Sequence, residues 1–160
     1  MLLYITVIIL PNVDVSTKSA KEIAGISQAR TAAEKIVNTT NEVALSGERA
    51  RQTISVYVPM NSTVNCESEI GSPGKISFNY KLFDPNLGED RLLPSVDGCI
   101  NDEDKLADPD GNTCFKTFTM ISGYNISCAG TFPLDGGEDG KLTTVTINKT
   151  LTELTITANP

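Results

Sequence analysis

The sequence predicts an α+β chain in which one long N-terminal helix leads into an antiparallel β-sandwich head. Three observations predict it. Apolar residues recur at spacings of three and four as far as Gly47, they alternate with polar residues afterwards, and all four cysteines fall in the second part. The chain therefore divides into residues 1–47, a hydrophobic and amphipathic helix, and residues 48–160, a β-rich globular head.

The chain starts with the apolar run Met1-Leu-Leu-Tyr-Ile-Thr-Val-Ile-Ile-Leu10 and meets Pro11. A membrane-spanning helix needs about 20 such residues, so this run is too short to cross alone. A secretory signal needs basic residues before the run and small residues at a cleavage site after it, and neither stands there. Three readings stay open: a buried strand, the remnant of a signal, or the outer half of a longer hydrophobic helix. Pro11 has two readings. It either bends a continuous helix by removing one hydrogen bond, or it occupies the first turn of a separate helix.

From about Val15 to Ser46 the period is helical, with Ala20, Ile23, Ile26, Ala29 or Arg30, Ala33, Ile36 with Val37, Thr40 and Val43 on one stripe. Ser16 or Thr17 is the expected N-cap and Gly47 a C-cap of the left-handed type. Lys18, Lys21, Glu22, Glu34, Lys35 and Glu42 fall mainly between the apolar positions. Thirty helical residues run about 45 Å, longer than a small sandwich is wide. Part of the helix should therefore pack on something besides its own head.

After Gly47 the period is two. Ile54, Val56 and Val58 alternate with polar residues, and Ile76, Phe78, Tyr80 and Leu82 repeat the pattern after the Ser72-Pro-Gly turn. Residues 115–121 and 124–128 read as further strands, and residues 142–157 as one or two more. Their threonine content suits half-exposed antiparallel strands. Acidic, turn-rich segments separate them at 84–94, 97–112 and 135–140.

Charge and composition exclude some functions. Residues 1–60 hold six Lys/Arg and five Asp/Glu, whereas residues 61–160 hold seven and fifteen. Such an acidic head repels phosphate, so no nucleic-acid partner is expected. The chain has no His, which removes the side chain best matched to proton transfer near neutral pH. Ser72-Pro-Gly-Lys75 has the spacing of a serine–lysine nucleophile but reads as a hairpin turn without companion motifs. No enzyme is expected.

Cys66, Cys99, Cys114 and Cys128 form no paired zinc motif. Their even count and wide spacing favour two disulfides in an oxidising compartment. Of the three possible pairings, Cys99–Cys114 with Cys66–Cys128 is expected, because the first closes a short acidic loop. The sequons at Asn38, Asn61, Asn125 and Asn148 agree with export and glycosylation. Asp102, Asp104, Asp108, Asp110 and Asn112 crowd oxygen ligands around Gly111. A calcium ion needs six to eight such ligands. An EF-hand would place Glu where Thr117 stands, so a solvated acidic loop is the default and no cofactor is expected.

The stretch Ser27-Gln-Ala-Arg30, then Ala33-Glu-Lys-Ile-Val-Asn38, Asn41-Glu-Val43, Gly47 and Ile54-Ser-Val-Tyr-Val-Pro59 resembles archaeal type IV pilin-like proteins. The resemblance covers roughly residues 15–60. It implies a pilin-like architecture and a structural subunit of a helical filament of identical copies, membrane-held as a precursor and extracellular once assembled. Family members are cut ahead of a longer hydrophobic helix, and this sequence shows neither the cleavage motif nor the full apolar segment. The implied assembly helix carries Leu2, Leu3, Ile5, Val7, Ile8, Ile9, Leu10, Pro11, Ile23, Ile26, Ala33, Ile36 and Val43. The alternatives are a membrane-anchored accessory protein whose sandwich binds the cell envelope, and a secreted glycan- or calcium-binding sandwich. The last requires Met1–Leu10 to be an ordinary strand. Surface or glycan ligands would meet exposed loops.

Overall fold

A computed structural model describes residues 2–68, 73–83, 113–120 and 123–159, with the side chains of 2–16 excepted. A single helix, α1, runs Leu2–Leu45, 44 residues or about 66 Å. The apolar run is therefore helical and continuous with the amphipathic stretch, which removes the strand reading of Met1–Leu10. No new helix starts at Pro11 and no N-cap is needed at Ser16 or Thr17, because the helix is already under way. Pro11 lacks an N–H and costs the ladder one bond, which the turns on either side outlast.

Among the described residues eight strands follow: β1 Arg51–Val58, β2 Ser62–Glu67, β3 Lys75–Lys81, β4 Thr113–Thr119, β5 Asn125–Gly130, β6 Leu134–Asp135, β7 Lys141–Lys149 and β8 Glu153–Asn159. They form two four-stranded sheets, in the orders β1-β7-β8-β5 and β4-β3-β2-β6. The second sheet is antiparallel throughout. The first is mixed, because β5 pairs with β8 in parallel, Ile126 opposite Leu154 and Cys128 opposite Ile156. That corrects the purely antiparallel expectation. A parallel neighbour needs a long connection, and the chain supplies one by visiting β6 in the other sheet and then β7.

β2 and β6 were not legible in the sequence. In β2 Val64 is the one fully buried aliphatic, and its strand neighbours Thr63, Asn65 and Glu67 are polar, too little apolar content to mark a strand. The strand is held by its register with β3, where Val64 faces Phe78 and Cys66 faces Ile76.

The core is shared by all three layers. α1 packs on β1, β7 and β8 of one sheet and on β2, β3 and β4 of the other. One buried cluster joins Ile26, Ala29, Ala33, Ile36 and Val43 of the helix to Val56, Val58, Phe78, Tyr80, Val145, Ile147, Leu154 and Ile156 of the sheets. Residue 47 thus separates kinds of secondary structure, and the packed core runs across it. The alanines let the helix axis approach the strands closely, since each adds only a methyl group between them. Thr39 and Thr40 are also buried, and each hydroxyl donates to the carbonyl four residues back, Lys35 and Ile36 respectively.

The helix ends differently from expectation. Gly47 is not left-handed; the positive φ falls on Arg49, at 63°. The terminal carbonyls are capped instead by Lys149, whose Nζ donates to the carbonyls of Ala44 and Ser46 at 2.7 Å each. The last turn of α1 carries no basic residue of its own. A cation from β7 therefore meets the negative end of the helix dipole, and the same ammonium stands 4.8 Å from the Tyr124 ring centroid. Lys149→Met is expected to lose about 2 kcal/mol through these charge-assisted bonds. That is a fall in Tm of roughly 4–8 °C for a chain of this size, read by thermal denaturation; an unchanged Tm would show that water caps the helix equally well.

Candidate functional site

Among the described side chains the buried face of α1 begins at Glu22 and continues through Ile26, Ala29, Ala33, Ile36, Thr40 and Val43, alternating steps of four and three. Before Glu22, the side chains of Thr17, Lys18, Ala20 and Lys21 are exposed and Ser19 is half-buried. About 30 Å of helix therefore precedes Glu22, the first buried residue among the described side chains of α1.

This division reassigns four of the residues expected to make contacts between copies. Ile26, Ala33 and Ile36 are fully buried and Val43 nearly so. They hold the helix to its own sheets and are not available to another molecule. Ile23 lies off the buried stripe and is 38% exposed. Leu2, Leu3, Ile5, Val7, Ile8, Ile9, Leu10 and Pro11 belong to the helix preceding the head, and their side chains lie outside the described residues.

Where the helix leaves the head, a groove of about 660 Å³ opens between Lys18–Gln28 of α1, the end of β1 and the residues after β3. Its wall includes Glu22, which the sequence pattern assigns to the polar face but which is 1% exposed. Glu22 Oε1 accepts the Phe83 N–H at 2.6 Å. The Tyr80 hydroxyl, itself buried, also bonds to the Glu22 carboxylate. Gly25 makes this packing possible, because a Cβ there would stand 2.6 Å from two ring carbons of Tyr80. A glycine in mid-helix costs about 1 kcal/mol relative to alanine, and here close approach of the Tyr80 ring explains it.

Burial pushes the Tyr80 phenol well above its usual range, and the hydrogen bond to Glu22 and that carboxylate's negative charge push it further. Above about pH 10 the unfolded chain releases this proton while the folded chain keeps it, so stability falls by about 1.4 kcal/mol per pH unit. Tyr80→Phe removes the titration. In urea unfolding between pH 9 and 11 the stability gap between the wild type and Tyr80→Phe should narrow as pH rises. A gap independent of pH would mean that the folded chain ionises Tyr80 freely.

Elsewhere, the predicted Cys66–Cys128 disulfide is present, with Cα atoms 6.0 Å apart, and it ties β2 of one sheet to β5 of the other. Cys114 is disulfide-bonded as well; Cys99, its expected partner, lies outside the described residues. Among the sequons, Asn38, Asn61 and Asn125 are exposed and Asn148 is half-buried in β7. The candidate calcium loop with Asp102, Asp104, Asp108, Asp110 and Asn112 lies outside the described residues, and among those described no cluster of acidic, Cys or His side chains could hold a metal. In the acidic turn at 135–140, Asp135 accepts the Gly137 N–H and closes a local turn. Among the described residues no helix is long and apolar enough to cross a membrane.

Sequence reasoning missed Glu22, Gly25, Tyr80 and Lys149. Glu22 was detectable, since it stands four residues before Ile26 in register with the buried stripe. Lys149 was not, because nothing local links it to a helix terminus over a hundred residues earlier. No family model, no curated protein and no solved structure matches the chain.

Proposed function

We propose that the chain is the structural subunit of an archaeal type IV pilus-like extracellular filament, assembled by packing of its N-terminal helices and used for surface attachment. The observation that carries this reading is the division of α1. Its C-terminal half is locked into the head, whereas residues 2–16, which bear the apolar run, precede every described side chain buried there. A helix so placed is anchored at one end and offers the other to partners.

The driving force is burial of Met1–Leu10 against the helices of neighbouring copies, at about 25 cal/mol per Å² of apolar surface. Loss of lipid contacts and of subunit freedom offsets part of it. Copies related by a screw operation meet head to tail and generate an open filament. The head, cross-braced by the inter-sheet disulfide and acidic over residues 61–160, suits a solvated oxidising exterior.

Fractionation tests the reading. Sheared native envelope material should yield this chain, identified by mass spectrometry, in the fraction that pellets as filaments. Recovery only as monomers or dimers from detergent-extracted membranes would favour the anchored accessory protein instead.

A further inference from the structure

We infer that the groove at the helix exit binds a neutral saccharide. Its lining mixes opposite charges and opposite hydrogen-bonding roles. Lys18 and Lys21 can donate, Gln28 and the Tyr57 hydroxyl can do both, and Glu22 adds a negative charge to the wall. An anion entering it meets the Glu22 carboxylate, and a cation meets two ammonium groups. A pyranose matches both kinds of partner, because each hydroxyl donates and accepts and the ring carries no net charge.

The apolar part of the lining fits the other face of such a ring. Tyr57 is 44% exposed and Phe83 56% exposed, and Met60 stands beside them at 39%. Rings left open to water at the mouth of a groove are suited to stack on the C–H face of a sugar. The site is also pre-formed: Glu22 bonds the backbone at Phe83 and the hydroxyl of Tyr80, fixing one wall. Its volume of about 660 Å³ lies within the usual span of small-ligand sites, roughly 300–1,000 Å³.

The inference does not rest on the filament reading and is tested apart from it. The chain has no Trp and four Tyr, two of which line the groove, so tyrosine emission reports on the site. The full chain is titrated with lactose, maltose and diacetylchitobiose while emission is followed. At least one sugar should give a saturable change, and Tyr124→Phe, which alters a tyrosine outside the groove lining, should retain it. Phe83→Ala should weaken binding at least tenfold; because Phe83 engages Glu22 through its backbone, the Tm should hold. Absence of a saturable response with all three sugars overturns the inference. So does undiminished binding by Phe83→Ala, which would place the sugar elsewhere. If Phe83→Ala instead abolishes self-association and no sugar binds, the groove is a contact between copies.

Discussion

A chain lacking residues 1–16 is expected to fold normally and to form no filaments. Among the described side chains burial along α1 starts at Glu22, and the exposed side chains of Thr17, Lys18, Ala20 and Lys21 separate it from the apolar run. The head's thermal transition should therefore stay within about 1 kcal/mol of the full chain's, the size of ordinary surface changes. Assembly should respond quite differently. Fully burying one large aliphatic side chain contributes about 1.5–3 kcal/mol, and the deletion removes Leu2, Leu3, Ile5, Val7, Ile8, Ile9 and Leu10 together. Even after losses of motional freedom, that is on the order of 10 kcal/mol per copy, enough to reduce association to nothing measurable. Sedimentation velocity on both chains reads the result. Filaments from the shortened chain would show that the heads alone drive assembly.

The second large effect concerns the head. Replacing Cys66 and Cys128 by serine, with Cys99 and Cys114 untouched, opens a covalent loop spanning 62 residues. Constraint of the unfolded chain by a loop of that length amounts to about 4 kcal/mol. The consequence is a Tm lower by roughly 8–16 °C. The bond also joins the two sheets across β2 and β5, and among the described strands β5 pairs with β8 alone. Hydrogen exchange should therefore rise first in β5. A double variant with unchanged Tm would show that packing around Ile126 and Leu154 holds the sheets without help.

How much of this was readable from the residues follows from how local each signal is. The helix and the strands with β-branched or aromatic alternation, such as Ile54-Val56-Val58 and Ile76-Phe78-Tyr80, were legible because burial on one face imposes the period directly. The Cys66–Cys128 pair was expected correctly by choosing which pair closes the shorter loop. Ile26, Ala33, Ile36 and Val43 were seen as apolar, but periodicity cannot say whether the covering partner is the chain's own sheet or another copy. Their burial in the monomer answers that. The parallel β5–β8 pairing, the Lys149 cap and the Glu22–Tyr80–Phe83 contacts link residues far apart in sequence, where no period or motif operates. The groove follows from those contacts and was equally hidden.

The filament reading is tested most directly by immunogold microscopy of native cell-surface material, using an antibody raised against the β-rich head. The account predicts thin filaments decorated evenly along their whole length, because every copy presents the same head to solvent. Gold confined to the envelope, with any filaments left bare, would contradict it.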